Sequence, residues 1–150
     1  MQNKTKFFLE SLEGNWLSNQ TVYYITTKQI INRKNKNHIK IIENNSVVNQ
    51  IAINNKNNLT SNQAYHFIFK NCQQKQEGYM KKETFSTTSY GKFKLYSNHC
   101  VKTIFNKKNT NYTEYLLTCT KNFQISIGFI KVNKNYIAVK FTSKIKISKS

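Results

Sequence analysis

The chain has 150 residues and a formal charge of +18, with 23 Lys and a single Arg (Arg33) against six Glu and no Asp. That length suits one domain, 1–150, whose core buries ~70% of the unfolded surface, and no calcium cage, two-metal site or Ser-His-Asp triad can be built without Asp clusters. The charge seeks anions, but 22 Asn, 23 Lys and 16 Ile against eight Arg, Ala, Gly and Pro together follow A/T-rich codon usage, so the basic surface needs no selection for nucleic acid.

In chain order, Phe7, Phe8, Ser11 and Leu12 make a short stripe at helical spacing within Asn3 to Glu13, with Asn3 as N-cap. From there the sequence turns to Ile, Val, Thr, Tyr and Phe, which suit a pleated surface. Strands are predicted from Trp16 to about Ile31, His38 to Glu43, Val47 to Ile53, Ala64 to Lys70 and Gly78 to Thr87. Further ones run Lys92 to Tyr96, Val101 to Phe105, Tyr112 to Thr120 and Phe123 to Val132. The last is the plainest, with Ile137, Val139, Phe141, Ser143, Ile145 and Ile147 alternating against Ala138, Lys140, Thr142, Lys144, Lys146 and Ser148. Asn and Lys clusters at Asn32 to Asn37, Asn54 to Asn58, Asn106 to Asn111 and Asn133 to Asn135 are predicted turns.

About ten strands after one short helix point to an all-β protein. An antiparallel up-and-down barrel leaves no exposed edge; a sandwich is the alternative. A barrel of this strand number encloses room for one small organic ligand.

Other motifs exclude more than they suggest. The glycines Gly14, Gly78, Gly91 and Gly128 are too dispersed for a phosphate loop. Cys72, Cys100 and Cys119 form no CxxC, and His38, His66 and His99 fall at no metal-ligand spacing, so no metal site is expected and the thiols read as free in a reducing compartment. No apolar run approaches the ~18 residues of a spanning helix, and the N-terminus lacks the apolar core and cleavage site of a secretory signal.

Gly14-Asn15-Trp16 opens the first strand, with Gly to turn the backbone and an indole to plug one end of a barrel. The wider run Phe7-Phe8-x-x-Ser11-x-x-Gly14-x-Trp16-x-Ser18-x-Gln20-Thr21-x-Tyr23 resembles the opening of the CpcS/CpeS (S-type) phycobiliprotein lyases. The resemblance continues through Gly91-Lys92-Phe93, Glu114, Asn122-Phe123-Gln124-Ile125-Ser126 and Phe141-x-Ser143-x-Ile145-Lys146. It implies a ten-stranded barrel of the lipocalin or fatty-acid-binding kind. It also implies a bound linear tetrapyrrole (a bilin such as phycocyanobilin or phycoerythrobilin), attached through a thioether to a cysteine of a phycobiliprotein alpha or beta subunit.

By the same resemblance, Glu114 matches the family's pocket carboxylate, placed to hydrogen-bond or protonate pyrrole nitrogens, and Gly14 and Trp16 form the plug. The bilin-binding set it implies is Gln20, Gln124, Ser126, Ser143, Lys146 and Phe69, the last near the family's pocket Trp or else a core Phe. Gln20, Gln124 and Ser126 stand where the family has arginines, and Gly128 where it tends to have Ser. Lysines such as Lys144 or Lys146 are candidates to take over the clasp on a propionate. The apolar pattern would turn Phe123, Ile125, Ile127 and Phe129 inward, whereas the resemblance turns Gln124, Ser126 and Gly128 inward.

Two other readings compete. One is a bilin-binding barrel that has lost ligation along with its arginines. The other is a basic nucleic-acid module, disfavoured because the lysines scatter over nearly every turn and no aromatic RNA-binding signature is present. The codon bias and the resemblance imply a plastid-encoded chain working in the stroma, alone, as a homodimer or with a partner lyase.

Overall fold

The protein's structure, a computed structural model, describes residue 8 and residues 10–44, 48–55, 64–71, 77–83, 88–97 and 99–148. Ten strands follow one another: β1 (Gly14–Tyr24), β2 (Ile30–Asn44), β3 (Val48–Asn55), β4 (Ala64–Asn71), β5 (Glu77–Glu83), β6 (Thr88–Ser97), β7 (Cys100–Lys107), β8 (Thr110–Thr120), β9 (Phe123–Val132) and β10 (Asn135–Ser148). Each pairs antiparallel with its sequence neighbours, and β10 returns to β1 over the register Trp16↔Lys146 to Tyr24↔Ala138. The sheet thereby closes into a barrel with no free edge.

Connections alternate between the two ends. At one end lie residues 25–29, the Lys108–Asn109 turn and the Asn133–Lys134 turn. Asn133 and Lys134 both have positive φ, at 50° and 68°, the signature of a two-residue hairpin turn whose twist matches the strands. At the other end Phe8 and residues 10–12 form a helical turn. Gly14 leaves it at φ 140°, a conformation that side chains rarely adopt. The chain then enters β1, and Trp16 is 0% exposed, its indole N–H donating to the Leu12 carbonyl at 2.9 Å. Phe8, Ile39, Met80, Phe93, Leu95 and Val101 pack with Trp16 into the hydrophobic core. The barrel is thus plugged at the helical end.

Three predicted boundaries are corrected. The stretch from Trp16 to Ile31 is two strands, and the turn lies at residues 25–29, where the Tyr24 N–H bonds the Gln29 carbonyl at 2.9 Å and Lys28 sits at φ 58°. Asn32 to Asn37, predicted as a turn, is the middle of β2, paired residue for residue with β1. Strand propensity is weak beside ladder pairing, and the exposed Asn32, Lys34 and Lys36 need only face water. Likewise β5 ends at Glu83 and β6 begins at Thr88, earlier than Lys92.

The facing of the last strands inverts the usual pattern. On β10, Ala138 and Thr142 are buried, while Phe141 is 45% and Ile145 55% exposed. On β9, Gln124, Ser126 and Gly128 face inward. Between Phe123 and Ile147 the inner face is therefore polar and the outer face apolar.

Candidate functional site

The barrel encloses a cavity of about 420 Å³, within the ~300–1,000 Å³ range of small-molecule sites. Phe8 and Leu12 floor it above the plug; Ile39, Met80, Val101 and Phe105 make an apolar wall, and Asn106, Lys107 and Thr110 border it at the open end. The adjoining wall, which begins where Tyr112 pairs with Phe105, carries Tyr112, Glu114, Lys140 and Lys144.

Period-two alternation collects these polar groups. Tyr112 and Glu114 are two residues apart on β8, and Lys140 and Lys144 are four apart on β10, so each pair shares a face. Between the two strands runs β9, whose Gly128 is the ladder partner of both Glu114 and Lys140. A Cβ at Gly128 would stand 2.8 Å from the Tyr112 hydroxyl oxygen. The missing side chain is what lets the phenol lie across β9.

There Tyr112 donates a short hydrogen bond to Glu114 Oε2, and Lys140 Nζ lies 3.3 Å from the same oxygen. The Lys140 ammonium also sits 4.7 Å from the centre of the Tyr112 ring, a cation–π arrangement. Burial alone would raise the Glu114 pKa, but Lys140, Lys144 and the hydrogen bonds from Tyr112 and Lys140 outweigh it, and the carboxyl titrates below its ordinary range. Burial and the adjacent carboxylate push the Tyr112 phenol far upward, so it stays a donor. Burial lowers the Lys144 pKa, opposed by Glu114 and assisted by Lys140. One ionised carboxylate thus faces two amines, an arrangement that attracts further negative charge.

The structure brings some sequence-identified residues together and separates others. Gln124 and Ser126 are each 1% exposed on the inner face of β9, with Gln124 directly across the ladder from Lys144. The Gln124 amide donates to Thr118 Oγ1 at 3.4 Å, while its Oε1 is buried without a partner. Gln20 lies half-buried on the inner face of β1, between Thr142 and Arg33 in the ladder.

Ser143 and Lys146 are corrections. Ser143 occupies the outward register of β10, between Asn19 and Ile125, because one residue along a strand reverses the face. Lys146 faces inward but at the plug, 4.8 Å over the Trp16 ring and donating to the Ser11 carbonyl at 3.2 Å, below the cavity floor. Phe69 pairs with Met80 in the ladder, and its side chain lies outside the described residues, as does Cys72. Sequence reasoning missed Tyr112 and Lys140, although their two-residue and four-residue spacings from Glu114 and Lys144 were available. Cys100 and Cys119 are free thiols, and burial raises the Cys100 pKa, which leaves it protonated.

A plugged antiparallel barrel with an ionised carboxylate and two amines on one cavity wall defines a ligand-binding β-barrel. No family model matches the chain. A chromophore lyase CpcS/CpeS homolog of Gracilaria tenuistipitata var. liui is 30% identical over 149 residues, which cover 95% of this chain and 97% of that protein. The chain belongs to the CpcS/CpeS chromophore lyase family. In fold it is similar to the S-type phycobiliprotein lyase CPES of Guillardia theta, at a TM-score of 0.72 and 10% identity over 95% of this chain and 92% of that one. It is also similar to a Nostoc punctiforme protein of unknown function, at a TM-score of 0.64 and 7% identity over 93% of this chain and 48% of that one.

Proposed function

We propose that this protein is an S-type bilin lyase, which holds a linear tetrapyrrole in the barrel and assists its attachment to a cysteine of a phycobiliprotein subunit. The observation that carries this reading is Glu114, kept ionised by Tyr112, Lys140 and Lys144 on the wall of a cavity open at one end.

In the reaction the acceptor thiol adds across an exocyclic double bond of the bilin. A carbon–sulfur bond forms, the thiol proton ends on the bilin, and nothing is oxidised or expelled. The electrophile gains from protonation of the pyrrole system, and a fixed carboxylate stabilises that positive charge while accepting the ring N–H bonds. Because Glu114 is ionised in the free protein, its first role is as counter-ion and acceptor, with Tyr112 as the neighbouring donor.

The propionates need cations, and the family's arginines are absent at Gln20, Gln124 and Ser126. At two of the three positions a charge lies one strand aside: Arg33 is the ladder partner of Gln20, and Lys144 that of Gln124. Of the two, Lys144 lines the cavity and is the candidate to take over the clasp. Lys144 and Lys140 bind the acid groups as point charges without the bidentate fork of a guanidinium. The cargo is phycocyanobilin or phycoerythrobilin, the acceptor an alpha or beta subunit, and the place of action the plastid stroma, which recovery of the protein in the stromal fraction of isolated plastids would support and its absence from that fraction would contradict.

Co-expression with a bilin-producing pathway and an apo-subunit tests the reading. Covalent colour on the subunit above the lyase-free control is expected, and no gain would contradict it. The loss of guanidinium groups at Gln124 and Ser126 favours one second reading, a carrier that binds bilin without ligating it. A coloured barrel with an uncoloured subunit would support that reading instead.

A further inference from the structure

The outer face of β7 to β10 holds a second concavity, a groove of about 550 Å³ lined by Ile104, Tyr115, Phe129, Tyr136 and Val139 with Lys102 and Lys131. It lies beside the cavity mouth, and Asn106 borders both. Two of its lysines are already held over aromatic rings, Lys102 at 5.4 Å from Tyr115 and Lys131 at 5.0 Å from Tyr136.

Toward the plugged end the groove continues as outward rows of large apolar side chains. Ile127 pairs with Phe141 and Ile125 with Leu117, while Ile145 pairs with both Phe123 and Leu17. Leu17, Leu117, Phe141, Ile145 and Ile147 are each more than a third exposed. So many apolar neighbours on one sheet face exceed scattered surface exposure and mark an interaction site. Exposed lysines flank it, Lys34 and Lys36 on β2 and Lys92 and Lys94 on β6. Among β1 and β6 to β10 the sole acidic residue is Glu114, and it faces the cavity.

We propose that this groove and the apolar rows beside it are the docking surface for an acidic protein, and specifically for the subunit that receives the bilin. The inference rests on the lyase reading for the partner's role. Charge complementarity selects the occupant, because an apolar centre with a lysine-rich rim, offset at the β5 edge where Glu77 stands across the ladder from Lys94, attracts a negatively charged protein. It disfavours a second copy, which would bring two +18 chains together rim to rim. Position supplies the second argument. A partner seated in the groove stands at Asn106 on the lip of the cavity, where its thiol reaches the ligand without the bilin leaving the barrel.

The test pairs Lys102→Glu/Lys131→Glu with Tyr136→Ser, an exposed position that leaves the inner wall intact. Bilin uptake is read by absorbance, affinity for a purified apo-subunit by titration, and covalent transfer across a range of subunit concentrations. Unchanged uptake, a ~10-fold or greater loss of affinity for the double variant and a smaller loss for Tyr136→Ser are expected. Transfer should then recover at high subunit concentration, and wild-type affinity should fall as salt rises. Affinity and transfer equal to wild type at every concentration would overturn the proposal while leaving the lyase reading intact. A wild-type protein that takes up no bilin and transfers none would instead overturn the lyase reading. Sedimentation as a dimer that the double variant breaks, with subunit affinity unchanged, would assign the face to a second copy. Binding of single-stranded RNA lost in the double variant, again with subunit affinity unchanged, would assign it to nucleic acid. Either result overturns the proposal.

Discussion

Two walls of one cavity follow opposite rules. Around Ile39, Met80, Val101 and Phe105 the apolar side chains point in, as burial of apolar surface demands. Beside them, on β8 to β10, the inner face carries Tyr112, Glu114, Gln124, Ser126, Lys140 and Lys144, and the outer face carries Phe141 and Ile145. The first wall holds the barrel together. The second gives up part of that stabilisation to bury charge, which is tolerable because Glu114 is paired with Lys140 and hydrogen-bonded by Tyr112.

The largest expected effect lies on the stabilising side. Trp16→Ala removes the fully buried plug and should cost ~3–5 kcal/mol, measured by denaturant unfolding; a loss below ~1 kcal/mol would mean that the plug is not part of the core. Next comes chemistry: Glu114→Gln should lower covalent transfer by ~10²-fold, compared at matched bilin occupancy because the variant also leaves Lys140 without its carboxylate. Tyr112→Phe deletes one hydrogen bond of the charged cluster and should cost about 1 kcal/mol of stability, with a smaller fall in transfer.

The smallest effect is the sharpest on facing. Ile145→Thr should change stability by no more than ~0.5 kcal/mol, because the side chain is 55% exposed; a loss of ~2 kcal/mol or more would turn β10 around.

The charged wall also has a pH signature. The Glu114 pKa is lowered in the folded state, so its stabilising contribution is complete above the ordinary carboxylate value of ~4.3 and is lost as pH falls through the lowered value. Unfolding measured from neutral pH downward should show this acid limb in the wild type and a weaker one in Glu114→Gln. Identical limbs would mean that the cluster does not hold the carboxyl ionised.

How legible each wall was in the sequence follows from the same contrast. Strand periodicity and the Asn-Lys turn at Asn133–Lys134 carry β7 to β10, and Trp16 after a helical stripe carries the plug. The β1–β2 turn was hidden because Asn32 to Asn37 has turn composition but is paired residue for residue with β1, where ladder bonds override propensity. The facing of β9 and β10 was hidden for a different reason. Apolar alternation names two faces but not which one meets the ligand, and where a cavity wall is polar the ordinary inference inverts. Ser143 was misassigned by that one-residue parity, and Lys146 by its distance along the strand, since it lies below the floor. Tyr112 belongs to the site through Gly128, whose role is visible only once β8, β9 and β10 are side by side.

The role proposed for the ionised Glu114 on the inverted wall is to drive ligation. Its most direct test is the covalent bilin remaining on the denatured acceptor subunit, compared for wild type and Glu114→Gln at equal bilin occupancy of the barrel. A yield lower by ~10²-fold in the variant is predicted; equal yields would contradict the account.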